Sequence, residues 1–307
     1  MNSSFDAAGL TVFERGWLSS NNVLFDGGER YESVLIDSGY CTHATQTVAL
    51  VHNALGARRL DRVVNTHLHS DHCGGNHALQ AAFDCAVDVP AGEIDKVDRW
   101  DETLLSYRDT GQRCPRFTRT GAIRAGDQLR CGAWLWQVIA SPGHDPESVV
   151  LHQPELKVLI SADALWENGF GVVFPELEGL QAFDDVRDTL NCLGRLQVEW
   201  IIPGHGSPFR GLGDALGRAH SRLDGFIADP ARHARHAAKV LIKFHLLEVQ
   251  SSGVVELLGW LASTKYMQVS HGLYFENMPF TDWSTALLRE LAAARAISIG
   301  DGKVRNI

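Results

Sequence analysis

The segment Thr66-His67-Leu68-His69-Ser70-Asp71-His72 places four groups able to bind a divalent metal within six residues. His67 and His69 are two apart, so on an extended backbone both imidazoles leave the same face. Asp71 and His72 follow at a turn, where the chain can swing round the same point, ahead of Cys73 and the pair Gly74-Gly75. Buried imidazoles and carboxylates need partners, and one kind of partner serves all four: a metal cation. Three later segments share this construction: Ser141-Pro142-Gly143-His144, Ser161-Ala162-Asp163-Ala164 and Pro203-Gly204-His205-Gly206. Each follows an apolar run and sets a ligand-type residue among small neighbours, which leaves its approach to a common centre open. Cations held this way turn water into a nucleophile at neutral pH.

The elements that must position these residues are mostly short strands. Thr11 to Glu14, Asn22 to Phe25, Ser33 to Ile36, Arg62 to Asn65 and Cys85 to Val89 read as strands bounded by turn residues. Gln128 to Cys131, Trp134 to Ala140, Ser148 to His152, Val158 to Ser161 and Glu199 to Ile202 form a second set. Helical spacing covers Thr42 to Leu55, Asn76 to Phe83 and Phe183 to Leu196, with a further helix expected around Glu93 to Tyr107. Two sets of strands, each followed by helices, suggest two facing sheets with helices outside. After Gly211-Leu212-Gly213 the pattern turns helical: Asp214 to Phe226, Ala231 to Val249, Val254 to Leu261 and Trp283 to Ala294. The chain closes on Ile297 to Ile299, Gly300-Asp301-Gly302 and Val304 to Ile307, a hairpin signal.

The 307 residues suffice for one large domain and a smaller one, read here as 1–210 and 211–307. A net charge of -9 argues against general affinity for nucleic acid. The deficit is uneven. Residues 211–307 carry 11 Lys/Arg against 9 Asp/Glu, net +2, which leaves the first 210 residues at net -11. No apolar run reaches the roughly 20 residues of a membrane span, and Met1 to Gly9 has no export-signal pattern. With six cysteines and no CxxC pair, the expectation is a cytoplasmic protein with reduced thiols.

In T-H-x-H-x-D-H at 66–72, P-G-H at 142–144, Asp163 and P-G-H-G at 203–206, taken in that order, the sequence resembles the metallo-β-lactamase superfamily. The resemblance spans roughly residues 11 to 210. It implies an α+β fold, an αββα sandwich with a two-metal site along one edge. Residue by residue, it assigns His67, His69 and His144 to one metal and Asp71, His72 and His205 to the second, with Asp163 bridging. The set has no cysteine, which is similar to the glyoxalase II and tRNA 3′-processing branches. Zinc is the first expectation for such N/O ligation, with iron or manganese as alternatives. Asp71 would orient the hydroxide bridging the metals or take its proton.

Tyr40, after Asp37-Ser38-Gly39, is a candidate for the site rim; Trp166, Phe170 and Phe174 could wall a substrate, and core packing is the competing reading for all four. The nine histidines outside the proposed ligand set read as surface or core residues. The C-terminal part resembles the winged-helix appendage of some β-lactamase-like proteins, with a lid or homodimer surface as the plainer reading. The leading function is hydrolysis of a small ester, thioester or lactone. A phosphodiesterase or ribonuclease guided by the C-terminal module is one alternative, although its wing offers only Lys303 and Arg305. A mononuclear iron dioxygenase acting on a thiol or persulfide is another. A small-molecule substrate and no membrane partner complete the expectation.

Overall fold

The computed structural model describes Phe5 and residues 9–307. Strands β1 (Leu10–Phe13), β2 (Asn22–Phe25), β3 (Val34–Ile36), β4 (Arg62–Val64), β5 (Ala86–Pro90) and β6 (Gly121–Ile123) make one sheet, in that spatial order. Strands β7 (Gln128–Cys131), β8 (Trp134–Ala140), β9 (Val149–Gln153), β10 (Val158–Ala162) and β11 (Trp200–Pro203) make the second, ordered β11-β10-β9-β8-β7. The first sheet is antiparallel from β1 to β3 and parallel from β3 to β6. The second is antiparallel except for β10 with β11.

The central strands are covered on both faces, which their sequences require: β2, β3, β9 and β10 are buried at every residue, while β7 and β8 leave one face partly open. Alternation still sorts the side chains. Val23, Phe25, Val34 and Ile36 meet Val158, Ile160 and Trp136 in a core between the sheets. Leu24 and Leu35 point the other way and pack with Val51 and Leu55 of the helix Ala44–Leu55 and Leu79 of the helix Asn76–Phe83. On the far side, Val150, Leu159 and Ile201 meet Val186 and Leu190 of the helix Phe183–Leu193. The layers are therefore helix, sheet, sheet, helix.

The expected helix from Glu93 to Tyr107 is in fact two short pieces, Ile94–Arg99 and Tyr107–Thr110. Trp100 adopts a left-handed φ of 53° that stops the first, and the Asp101 carboxylate then accepts from the amides of Thr103 and Leu104 in a turn. The change of core also falls later than residue 210. The helix Leu212–Ala228 packs Ala215, Ala219, Leu223 and Phe226 onto the second sheet's outer layer. Only at Pro230 does a new core start, behind Asp229, whose side chain caps the helix Pro230–Val249 by accepting from Arg232 N.

That core joins Leu241, Ile242 and Leu246 to Leu257, Leu261, Trp283, Leu287 and Leu288 from the helices Val254–Ser263 and Phe280–Ala293. The helix Lys265–Tyr274 was not expected; Val269 and Gly272 give it a weak periodicity, and it buries only Tyr266, Met267 and Ser270. Strands β12 (Ser251–Gly253), β13 (Ile297–Gly300) and β14 (Lys303–Asn306) form a three-stranded antiparallel sheet ordered β12-β14-β13. Val172 and Leu177 belong to this core as well, so a segment following Asp163 is seated in the C-terminal unit. Among the described residues no helix is long and apolar enough to cross a membrane.

Candidate metal centre

Seven candidate ligands converge at one edge of the sandwich, from both sheets. The β4 strand leads into Asn65, and the following loop presents His67 and His69; Asp71 and His72 lie on the four-residue helix Ser70–Cys73. His144 stands on the β8–β9 connection, Asp163 directly after β10, and His205 two residues beyond β11. The two sheets are tied here by backbone bonds, Val149 N to Thr66 O at 2.9 Å and Asn21 N to Gly204 O at 2.7 Å. The ligand atoms fall into two groups, His67/His69/His144 and Asp71/His72/Asp163/His205, each with its atoms within 4.8 Å of one another.

Close packing at the edge needs residues without a Cβ. A Cβ on Gly204 would stand 2.1 Å from Asp163 Oδ1, and one on Gly171 would stand 2.4 Å from His144 Nδ1. These glycines are the small residues that the approach of the ligands demands.

The outward nitrogens are held. His67 Nδ1 donates to Thr66 Oγ1 at 3.1 Å, and His144 Nδ1 to the Val172 carbonyl at 2.6 Å. Both Nε2 atoms therefore carry lone pairs, yet they lie 3.2 Å apart, with His69 Nδ1 2.8 Å from His144 Nε2. Lone pairs facing one another at this distance fit a cation between them. His72 Nδ1 lies 2.7 Å from Asp37 Oδ2, and its Nε2 is buried without a hydrogen-bond partner, 3.4 Å from Asp163 Oδ1. His205 Nε2 is 3.0 Å from Asp71 Oδ2. Asp163 Oδ2 lies 3.4 Å from His144 Nε2 and 3.9 Å from His205 Nε2, between the two groups.

Burial pushes the pKa of His69 and of His144 down to about 4, and that of His67 well below its usual value, so these three are neutral donors of electron pairs. At His72 burial acts the same way, but Asp37, Asp163 and Asp71 outweigh it and raise the pKa. A net negative second group is the electrostatic setting for a divalent cation.

Of the four aromatic residues proposed near the substrate, two line the cleft. Trp166 donates its indole N–H to Asp163 Oδ1 at 3.1 Å, and Phe174 packs 4.6 Å from the His69 ring. Tyr40 and Phe170 do not reach it. Tyr40 is 0% exposed, with its hydroxyl donating to Glu248 and accepting from Arg113 N, and Phe170 is 2% exposed among Phe183 and Phe226. Both fill core space instead.

Other site residues were not singled out from sequence. Asp37 accepts from Thr66 N, Thr66 Oγ1 and His72 Nδ1, so one carboxylate orients both halves of the histidine motif. Its place directly after β3 is the same strand-end position the ligands occupy, which was the available signal. Trp17 stacks on His205 with centroids 5.3 Å apart. The helix Pro230–Val249 contributes His236, Val240, Leu241 and Phe244 to the cleft, while His233 accepts from Val173 N at 3.2 Å. Two of the histidines read as surface or core thus bear on the site.

Residues 15–205 match the family model of the metallo-β-lactamase superfamily. The chain belongs to that superfamily. Over 153 residues, 48% of this chain, it is 31% identical to the hydroxyacylglutathione hydrolase of Bdellovibrio bacteriovorus, of which the match spans 50%. The chain thus spans half or less of such curated relatives, 38% in the case of the Hyphomonas neptunium enzyme. Among solved structures, a metallo-β-lactamase family protein of Thermus thermophilus superposes with a TM-score of 0.58 at 20% identity, covering 97% of this chain and 99% of that one. The di-iron-bound form of TTHA1623 superposes with a TM-score of 0.54 at 25% identity, covering 68% and 98%. The metallo-β-lactamase fold thus accounts for the layers described above, and metallo-hydrolase chemistry for the gathered ligands.

Proposed function

We propose that this superfamily member hydrolyses a small carboxylic ester, thioester or lactone at a centre of two divalent cations. His67, His69 and His144 would hold one cation, Asp71, His72 and His205 the other, with Asp163 shared. Five imidazoles and two carboxylates without a thiolate suit zinc, with iron, as named in the di-iron relative, or manganese as alternatives. Such a pair of cations lowers the pKa of water and draws electron density from a carbonyl oxygen.

The chain's own residues do the positioning. Asp71, which lines the cleft, would orient the attacking water and receive its proton, and the Trp166 indole N–H donates to Asp163 and so restrains its rotation. Trp17, Trp166 and Phe174 exclude bulk water from the cleft mouth.

The observation that carries an acyl substrate is the cleft itself. Its lining beside the candidate ligands is mainly apolar, Trp17, Trp166, Val172, Phe174, Val240, Leu241 and Phe244, with Thr110, Gln112 and His236 as the polar members and, among the described residues, no lysine or arginine. Beyond the cations proposed here, that wall offers no lysine or arginine to the flanking phosphates of a nucleic acid, which disfavours the nuclease reading. The C-terminal unit, with its helix–strand–helices–hairpin order, is read as winged-helix-like and as the wall of the cleft. A panel of esters, thioesters, lactones and phosphodiesters offered to metal-loaded protein tests this reading. Turnover of acyl substrates is expected; none at all would remove it.

A further inference from the structure

The cleft does not end at the metal ligands. Its outer wall, Trp17, His236, Val240 and Phe244, is also the near wall of a second cavity of 390 Å³, against 90 Å³ for the inner cleft. The groove runs along the helix Pro230–Val249 past Leu247 to Leu291 and Ala294 of the C-terminal unit. Its apolar residues run from open to covered: Trp17 is 57% exposed and Val240 37%, while Phe244 and Leu291 form a floor 9% and 8% exposed. A concave, mainly apolar surface continuous with a reaction site is where the apolar part of a ligand can be buried.

The polar residues of the groove are already engaged. Lys239 donates to Glu290 at 3.3 Å, and Lys243 donates to the Ala296 carbonyl at 2.6 Å and the Ile307 carbonyl at 2.9 Å. The Arg222 guanidinium donates to His236 Nε2 at 2.6 Å, which fixes that ring as neutral. Both lysines are thus turned to partners within the C-terminal unit, at the groove's rim, and the wall of Trp17, Val240, Phe244 and Leu247 is apolar. Along that wall an uncharged hydrocarbon tail is better matched than a glutathione moiety with its two carboxylates.

We infer that the groove is the subsite for the apolar tail of the substrate, so that the esters or thioesters turned over carry a medium to long alkyl or aryl acyl chain. This rests on the hydrolase reading above. In the reaction, water adds across the acyl C–O or C–S bond, the acyl carbon taking OH and the alcohol or thiol leaving with the proton. The tail lies along Val240, Phe244 and Leu247 while the carbonyl sits beside the ligands.

Two measurements on metal-loaded protein test the inference. The first is kcat/KM for p-nitrophenyl esters from acetate to decanoate, expected to rise about two- to fourfold per methylene until the groove is filled. The second is calorimetric binding of 1-octanol against ethanol, which needs no turnover; octanol is expected to bind with a negative heat-capacity change and ethanol not to bind. Val240→Glu puts a charge on an exposed groove position and is expected to lower the octanoate-to-acetate ratio roughly tenfold and to abolish octanol binding. Ala294→Trp, at the far end, is expected to cut the gain for decanoate and spare that for butyrate.

If no ester is hydrolysed but octanol binds and Val240→Glu prevents it, the hydrolase reading falls while a site for an apolar tail stands. A flat chain-length response with no octanol binding overturns the inference, whether or not esters turn over. A dimer in sedimentation that Val240→Glu dissociates would also overturn it, by making a second copy of the chain the occupant.

Discussion

The Asp37 carboxylate sits 2.7 Å from Nδ1 of His72 and is itself bonded twice to Thr66, so the metal motif hangs from a residue on the neighbouring strand. Asp37→Asn would turn one of these acceptors into an N–H facing another donor. The expected outcome is a 10- to 100-fold loss of affinity for the second cation with an intact fold, as is typical when a ligand's outer partner is removed. Competition with a chromophoric chelator reads the affinity, and circular dichroism checks the fold.

Gly204→Ala and Gly171→Ala separate the two ligand groups. The first pushes a methyl onto Asp163 and His72, the second onto His144. Displacing reacting groups by about 1 Å costs roughly 10²-fold in rate. Both variants should therefore lose about that much activity, with Gly171→Ala weakening the His67/His69/His144 group and Gly204→Ala the other. Metal analysis of each purified variant makes the assignment.

Stripping the protein with a chelator should lower its thermal midpoint. A cation present at 100 times its Kd adds about 2.7 kcal/mol to the folded state, worth roughly 4 °C in a chain of this size. Restoring zinc should recover the midpoint; an unchanged melt on removal and return of metal would argue that no cation is held.

Glu93, which lines a pocket beside His69, supplies a pH dependence of stability. Burial first, then Asp145, raises its pKa from 4.5 to about 7, although Lys96 lies 2.8 Å away. A folded-state pKa above the unfolded one means a contribution that is complete below pH 4.5 and is lost as pH rises through about 7. Relative to Glu93→Gln, the wild type should lose stability between pH 5 and pH 8, measured as urea midpoints at both. A constant difference between the two proteins would contradict this.

The sandwich was legible because burial on both faces forces apolar runs such as Val34-Leu35-Ile36 and Val158-Leu159-Ile160, and the ligands because each follows such a run among small residues. Tyr40 was not, since its partners Arg113 and Glu248 lie 73 and 208 residues away in the chain. The left-handed turn at Trp100 leaves no mark in a non-glycine residue. The helix Pro230–Val249 was plain as an amphipathic segment, but periodicity tells which face is buried and not that Val240 and Phe244 overlook a cleft.

The carbonyl that holds His144 belongs to Val172, whose side chain lies in the C-terminal core and whose next amide is held by His233. A candidate metal-binding imidazole is thus aligned by a segment that the last third of the chain keeps in place. Severing the polypeptide after Ala228 would leave every ligand in the remaining fragment and still slacken one of them. A change in how the two halves pack would therefore be felt at His144.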